Sequence, residues 1–365
     1  MLFFLLILLT FAGTVLFAGG ELTLAGVARA YAVVTGSVAR DLSFSSGYDS
    51  VFAPMKSGVI SAGSNGVAVY GLTGDEVARE TFSMNRPALA ANGMSAVIYD
   101  CGGRQLRVVD STGVRARLEA DGDIVSASIG KNGYIVVCTM SEGAYLGIVR
   151  VYQLRAGTLA SVYEWYSGGD FVLSAAVSGD NKRLAVLTLG SAGGRVVLMR
   201  LASTRTDAEA LLPGSAILEA GYLRDGTLLA RSRDAVYAVS EDGALRRVYT
   251  IPEGMETLGW TTEGGNFAAI YVQSGGAEVG PRTLALIDGQ DEPTVLELSG
   301  LETFVSLHAS GDRVALLRSD GLWIYNQRLR ALASYDGVAA YSEAYPTGGA
   351  SALAAGARVG HIYKP

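Results

Sequence analysis

Soft metal ligands are nearly missing from this chain. Its 365 residues hold two cysteines, Cys101 and Cys138, and two histidines, His308 and His361. A structural zinc site takes four Cys or His ligands, and two cysteines close at most one disulfide, so neither a zinc fold nor a disulfide framework is expected. Lysine occurs only at Lys56, Lys131, Lys182 and Lys364, and the net charge is −6 with a pI near 5.1. A nucleic-acid phosphate backbone is held by a basic stripe, and none is visible, which argues against nucleic acid as a partner. Proline is scarce at 8, whereas glycine reaches 47. With few long helical patterns, that glycine content points to many turns. Apolar residues make up 49% of the chain, enough to offset ordering entropy and fold.

Charge is also missing from the start of the chain. "MLFFLLILLTFAGTVLFAGG" carries no charged residue from Leu2 to Gly20. A helix that spans a bilayer needs roughly 20 apolar residues with a lower limit near 17, and this run meets that limit. The reading is an uncleaved transmembrane anchor over residues 1–20, followed by a linker over 21–38. A signal peptide is the rival, with "ARA" at Ala28–Ala30 as a small-x-small cleavage site, but its apolar core is ordinarily shorter, about 7–15 residues. A buried core helix fits poorly, because the segment has no polar face. A lipoprotein anchor is excluded, since no cysteine precedes Cys101. Either leading reading places the bulk of the chain outside the cytoplasm. No Lys or Arg precedes the apolar run, so the positive-inside rule says little about orientation.

A repeated pattern fills the rest. Five extended runs end in Gly/Asn/Asp turns: "DIVSASIGKNG" (123–133), "DFVLSAAVSGDN" (170–181), "AILEAGYLRDG" (216–226), "METLGWTTEGG" (255–265) and "LETFVSLHASGD" (301–312). Each carries a small residue at one register, Ala127, Ala175, Ala220, Gly259 and Ser306, spaced by 48, 45, 39 and 47 residues. That period is the length of a four-stranded propeller blade. A Val/Ile/Leu-rich second strand follows each turn, as in "YIVVCT" (134–139) and "RVALLR" (313–318). A third strand comes next, as in "IVRVYQ" (148–153), and a weaker fourth, as in "LASVYEWYSGG" (159–169). "MSAVIYD" (94–100) and "RQLRVVD" (104–110) fill the second and third slots of an earlier unit. The final unit, from 338 to 365, has only three strands, and "RDLSFSS" (40–46) could supply its fourth and close the ring. The expected fold is an all-β propeller over 39–365, with eight blades and seven as the alternative.

"AVIYDCGGRQLRVVDSTG" (96–113), "YIVVCT…LGIVRVYQLRAG" and "LSAAVSGDNKRLAVLTL" resemble a family of bacterial membrane-anchored propeller-like proteins that has no established activity. The likeness runs over about residues 40–365 and implies architecture and anchoring only. More distantly, the strand-turn phrases are similar to quinoprotein-type and WD40-type propellers. The chain departs from both. A quinoprotein repeats a Trp near the end of most blades, whereas here only Trp165 lies there, with Trp260 and Trp323 in first and third strands. The Gly-His and Trp-Asp signatures of WD40 repeats are absent.

No residue declares a chemistry. His308 falls in a column with Ile129, Val177, Tyr222 and Thr261, which reads as strand packing. His361 lacks a nearby acid-nucleophile pattern, and no G-x-S-x-G marks an activated serine. Asp100, Asp110, Asp121, Asp123, Asp180, Asp225, Asp242, Asp288 and Asp312 recur at turns, where Asp bonds its own backbone. "EADGDI" (119–124) lacks the further ligands and closing Glu of a calcium loop. Gly168-Gly169, Gly193-Gly194 and Gly264-Gly265 join strands rather than open helices, so they form no phosphate cradle. Tyr163, Trp165 and Tyr166 cluster, and inter-blade packing is the favoured reading over a partner hot spot. Cys101 and Cys138 lie at unmatched positions of two units, and Cys101 reads as an incidental turn residue. The loops "SAGG" (191–194) and "QSGGAEVGP" (273–281) are where recognition would live.

The expectation is therefore a single-pass, membrane-tethered, extracytoplasmic and monomeric propeller that acts as a non-enzymatic platform for a protein or cell-envelope polymer. No catalytic, cofactor-binding or metal-binding residue and no cofactor is assigned. An enzyme at the channel mouth acting on a glycan or peptide stays open, as does a small-ligand sensor. Three or more acidic or His side chains within hydrogen-bond reach around the axis would favour the enzyme.

Overall fold

The computed structural model describes residues 41–365 apart from 48, 72, 131, 142, 204, 214–216, 264, 276–279, 291 and 301. The apolar segment 1–20 and the linker lie outside the described residues. Among the described residues the chain forms eight four-stranded sheets, which excludes the seven-bladed alternative. The blades run over residues 51–81, 87–119, 124–167, 171–213, 217–250, 255–298 and 304–335. In blade eight, Glu343–Gly348, Ser351–Ala355 and Val359–Tyr363 are joined by Asp41–Ser43, which pairs antiparallel with Val359–Tyr363.

Each blade is too thin to bury itself, and the core is distributed accordingly. Eight apolar clusters each draw on two consecutive blades, and one of them joins blade eight to blade one. Successive side chains of a strand point to opposite faces. In the second strand of blade three, Ile135 and Val137 therefore pack toward blade two, while Val136 and Cys138 pack toward blade four. Both faces are covered, so the second strands read as unbroken apolar runs rather than as alternating ones. The fourth strands lie at the rim and are half polar, as in Glu76–Thr81 and Thr294–Leu298.

The first strands are innermost: the first strand of one blade touches the first strand of the next, as Gly259 does with Leu307 and Ser306 with Ala344. Blades three to seven each carry a bulge between first and second strands, at Val125, Leu173, Leu218, Leu258 and Val305. A bulge adds one residue and sharpens the local twist. Aligning the blades on it corrects the small-residue register. Gly259 and Ser306 match Ser126, Ser174 and Glu219, whereas Ala127, Ala175 and Ala220 match Trp260 and Leu307.

The corrected column abuts the next blade. A Cβ on Gly259 would lie 2.8 Å from the Phe304 ring and 2.9 Å from Leu307 Cβ. The Ser306 hydroxyl accepts the Ala344 amide proton at 3.1 Å. Crowding of backbone against side chain at the inner ring explains why small residues recur there.

Candidate functional site

His308 is the member of its column that breaks the pattern. On the bulge register its counterparts are Ser128, Ala176, Gly221 and Thr261, not the partly apolar set read from the sequence. Those four are small and face the next blade: Ser128 donates to the Ala175 carbonyl at 2.7 Å, and a Cβ on Gly221 would touch Thr262. His308 instead reaches across to blade eight, where its Nε2 lies 2.6 Å from Glu343 Oε2. Its ring lies 4.1 Å from the ring of Tyr345. His308 keeps a structural place between blades, but through a polar contact rather than an apolar one: it hydrogen-bonds across the innermost strands of blades seven and eight.

Glu263 completes this group from the turn of blade six. The residue as a whole is exposed, yet the protein around its carboxyl pushes its pKa up, with His308 pulling the other way. Burial pushes the Tyr345 phenol well above its usual range, aided by the charges of Glu343 and Glu263. The arrangement is one hydrogen-bonded acid–imidazole pair with a second acid nearby. It can orient an imidazole and exchange a proton. Two groups, not three, are within hydrogen-bond reach. Among the described residues no set of three His, Cys, Asp or Glu is placed to hold a metal.

A second feature lies at the blade ends. The Tyr163–Trp165–Tyr166 cluster divides by strand alternation. Tyr163 is buried between blades three and four with Trp165 packed against the same cluster, whereas Tyr166 is exposed. Tyr166 pairs with Tyr145 at 4.9 Å between ring centroids. Exposed Met140 and Phe171 lie at the same end of the sheets. Met140 pairs with Gly147, Gly147 pairs with Ser167, and a Cβ on Gly147 would touch Val172, the neighbour of Phe171. Four large apolar side chains thus sit on the face formed by the second-to-third-strand loop and the crossing into blade four.

The turn aspartates behave as their residue type dictates. Asp110, Asp180, Asp225, Asp242 and Asp288 each accept the amide proton two residues ahead. Buried Asp100 accepts the amides of Asn85 and Arg86 at 2.9 and 2.8 Å, tying blade two to the segment that enters it. Asp121 and Asp123 are engaged by Arg150 and Arg104. His361 Nδ1 lies 2.7 Å from Asp41 Oδ1, across the pairing of Asp41–Ser43 with the last strand. Both cysteines are free, and burial pushes the Cys138 thiol up to about 12. Ser191 and Ala192 form the tight turn between Arg183–Gly190 and Gly193–Arg200, and 276–279 lie outside the described residues.

The sequence alone did not mark Glu263, Glu343, Tyr345, Met140, Tyr145 or Phe171. The signal for the first three was the break at His308, visible only once the bulge fixes the register.

Residues 31–197 match the sequence model of a family of unknown function, DUF5711. The match covers blades one to three and most of blade four, somewhat under half of the chain. No curated protein matches the chain. Solved propellers resemble it in shape. The C-terminal WD40 domain of Sif2 aligns with a TM-score of 0.63 at 14% identity, over 90% of this chain and 97% of that one. Sqt1 of Saccharomyces cerevisiae gives 0.59 at 12% identity, over 89% and 99%. The Cps50 (Swd1) propeller of Myceliophteria thermophila gives 0.54 at 11%, over 78% and 98%. At such identities the likeness speaks to the fold alone.

Proposed function

We propose that this chain is a membrane-tethered propeller that docks a protein partner outside the cytoplasm. The observation that carries this reading is the exposed Met140–Tyr145–Tyr166–Phe171 group. Tyr, Phe and Met are enriched in the cores of protein interfaces, where a few such anchors supply most of the binding energy. The rigid ring holds them ready, so little ordering cost falls on binding. The apolar segment 1–20 acts as the tether, raising the effective concentration of the platform at the membrane. Asp41–Ser43 serves as the closing strand of the ring, joining the start of the domain to its end.

The test is site-specific photocrosslinking in intact membranes, with a photoreactive residue at position 166 and a control at exposed Arg233. Position 166 is expected to trap a discrete protein adduct that is lost when Tyr145 and Phe171 are changed to Ala. Protease accessibility in sealed cells is expected to place the ring outside. A polysaccharide adduct, equal adducts at both positions, or none at all, would overturn the reading.

The His308–Glu343 pair favours one further reading, an enzyme whose proton-transfer group lies at the axis. It predicts that hydrolysis of some peptide or glycan by the purified chain is lost on His308→Gln. Absence of any such activity across peptide and glycan panels counts against it.

A further inference from the structure

About half of the described arginines close on carboxylates. Arg107 and Arg117 share Glu80, Arg150 holds Glu164, and Arg200 holds Asp207. Arg328 and Arg330 are among those with no side-chain partner in the described residues, and they are two that line the same cleft. They stand two residues apart in the turn between the third and fourth strands of blade seven. With Asp312, Arg313, Asn326 and Leu332 they line a cleft of about 290 Å³. Three arginines and one aspartate line it, and that aspartate is already engaged by Arg313. In a chain of net charge −6 this is a local reversal of sign.

The turn is held still. Asn326 Oδ1 accepts the amide protons of Arg328 at 2.9 Å and Arg330 at 3.1 Å. The backbone of Asn326 exchanges hydrogen bonds with Leu329 and Arg330. Leu329 adopts a left-handed φ of 53° and is buried between blades six and seven. A leucine in that region is strained, and such strain persists only where the surroundings impose it. Arg313 is fixed in turn by donating to the Gly349 carbonyl at 2.8 Å. The backbone is thus pinned, and the exposed Arg328 and Arg330 line the cleft together with the fixed Arg313. Guanidinium forks match tetrahedral oxyanions, bonding them through paired N–H groups. The cleft is at the small end of ligand sites, which suits a phosphate group rather than a larger molecule.

We propose that this cleft of blade seven binds a phosphate-bearing anion through Arg313, Arg328 and Arg330. Two sources carry that chemistry: a soluble phosphate compound and an anionic lipid headgroup. Asp41 pairs with His361 and Ser43 with Val359, so the outer strand of blade eight starts on the side where its third strand ends, the position that the cleft's turn occupies in blade seven. A lipid headgroup is therefore within the geometry of a tethered ring.

The test uses the full chain in nanodiscs and reads amide hydrogen exchange across residues 326–332. One arm adds inorganic phosphate to discs of phosphatidylcholine. The other compares these discs with discs that also contain phosphatidylglycerol. Either addition is expected to slow exchange in the turn about tenfold, equivalent to about 1.4 kcal/mol. Slowing by phosphate assigns a soluble ligand, and slowing by phosphatidylglycerol alone assigns a headgroup. The slowing is expected to vanish in Arg328→Gln/Arg330→Gln, whose unfolding temperature should match the parent because both side chains are exposed. No slowing in either arm, or equal slowing in the double variant, would overturn the proposal.

Discussion

Glu263 and Cys138 both sit in surroundings that oppose their charged forms. The Glu263 carboxyl has its pKa pushed up by the enclosing protein, with no hydrogen bond to its side chain among the described residues. A raised folded-state pKa means that the fold binds this proton more tightly than the unfolded chain does. The ionised carboxylate therefore opposes folding near neutrality, and the penalty fades as pH falls through the raised value toward that of a free carboxyl. Glu263→Gln is expected to raise the urea midpoint at about pH 7 and to leave it unchanged at about pH 4. An equal effect at both pH values would show that charge is not the cause. Cys138 lies fully packed between blades three and four, and its thiol is pushed up to about 12. Only thiolate reacts. Native protein is expected to label with a thiol reagent at Cys101 alone, with Cys138 reacting only after denaturant is added. Burst labelling at Cys138 in native buffer would contradict this packing.

Within a blade, the legible features were those set by local pattern. Second and third strands such as "YIVVCT" and "IVRVYQ" declare themselves because both faces are buried, which forces continuous apolar runs. The turn aspartates declare themselves because their bonding is local. The bulge was not legible. It inserts one residue at Val125, Leu173, Leu218, Leu258 and Val305, and a Val or Leu does not stand out in an apolar strand, so the small-residue column slipped by one between blades five and six. That slip hid His308 among packing residues, and its partners on blades six and eight are far from it in sequence. The aromatic cluster was read as packing, which holds for Tyr163 and Trp165 and fails for Tyr166 on the opposite face. The corrected column can be tested at Gly259, where an added methyl meets Phe304 and Leu307 at under 3.0 Å. Gly259→Ala is expected to cost about 1–3 kcal/mol by overpacking, read as a lower denaturation midpoint. A neutral result would mean that the inner strands of blades six and seven are not in close contact.

At the scale of the whole ring, stability rests on eight interfaces of similar kind, each useless to a blade that lacks its neighbour. Seven join blades that follow one another in the chain, so their contacts cost little loop-closure entropy. The eighth joins residues near 42 to residues near 360. It unites Leu42 and Phe44 with Phe52 and Tyr70 of blade one and with Leu353 and Ile362 of blade eight. Phe44 is its centre: its ring lies 4.9 Å from Phe52 and 5.2 Å from Tyr70, and it packs on Gly360 where any side chain would collide. If the strand Asp41–Ser43 locks the ring, removing that ring side chain weakens the single contact that makes the structure closed. Phe44→Ala is expected to cost about 3–5 kcal/mol, the range for emptying a buried aromatic site. It should also speed unfolding, because opening at this seam exposes the apolar faces of blades one and eight together. Stopped-flow unfolding in urea measures both effects. A loss below about 1 kcal/mol with unchanged unfolding rate would mean that the ring is held by its seven local interfaces and that the N-terminal strand merely decorates the rim.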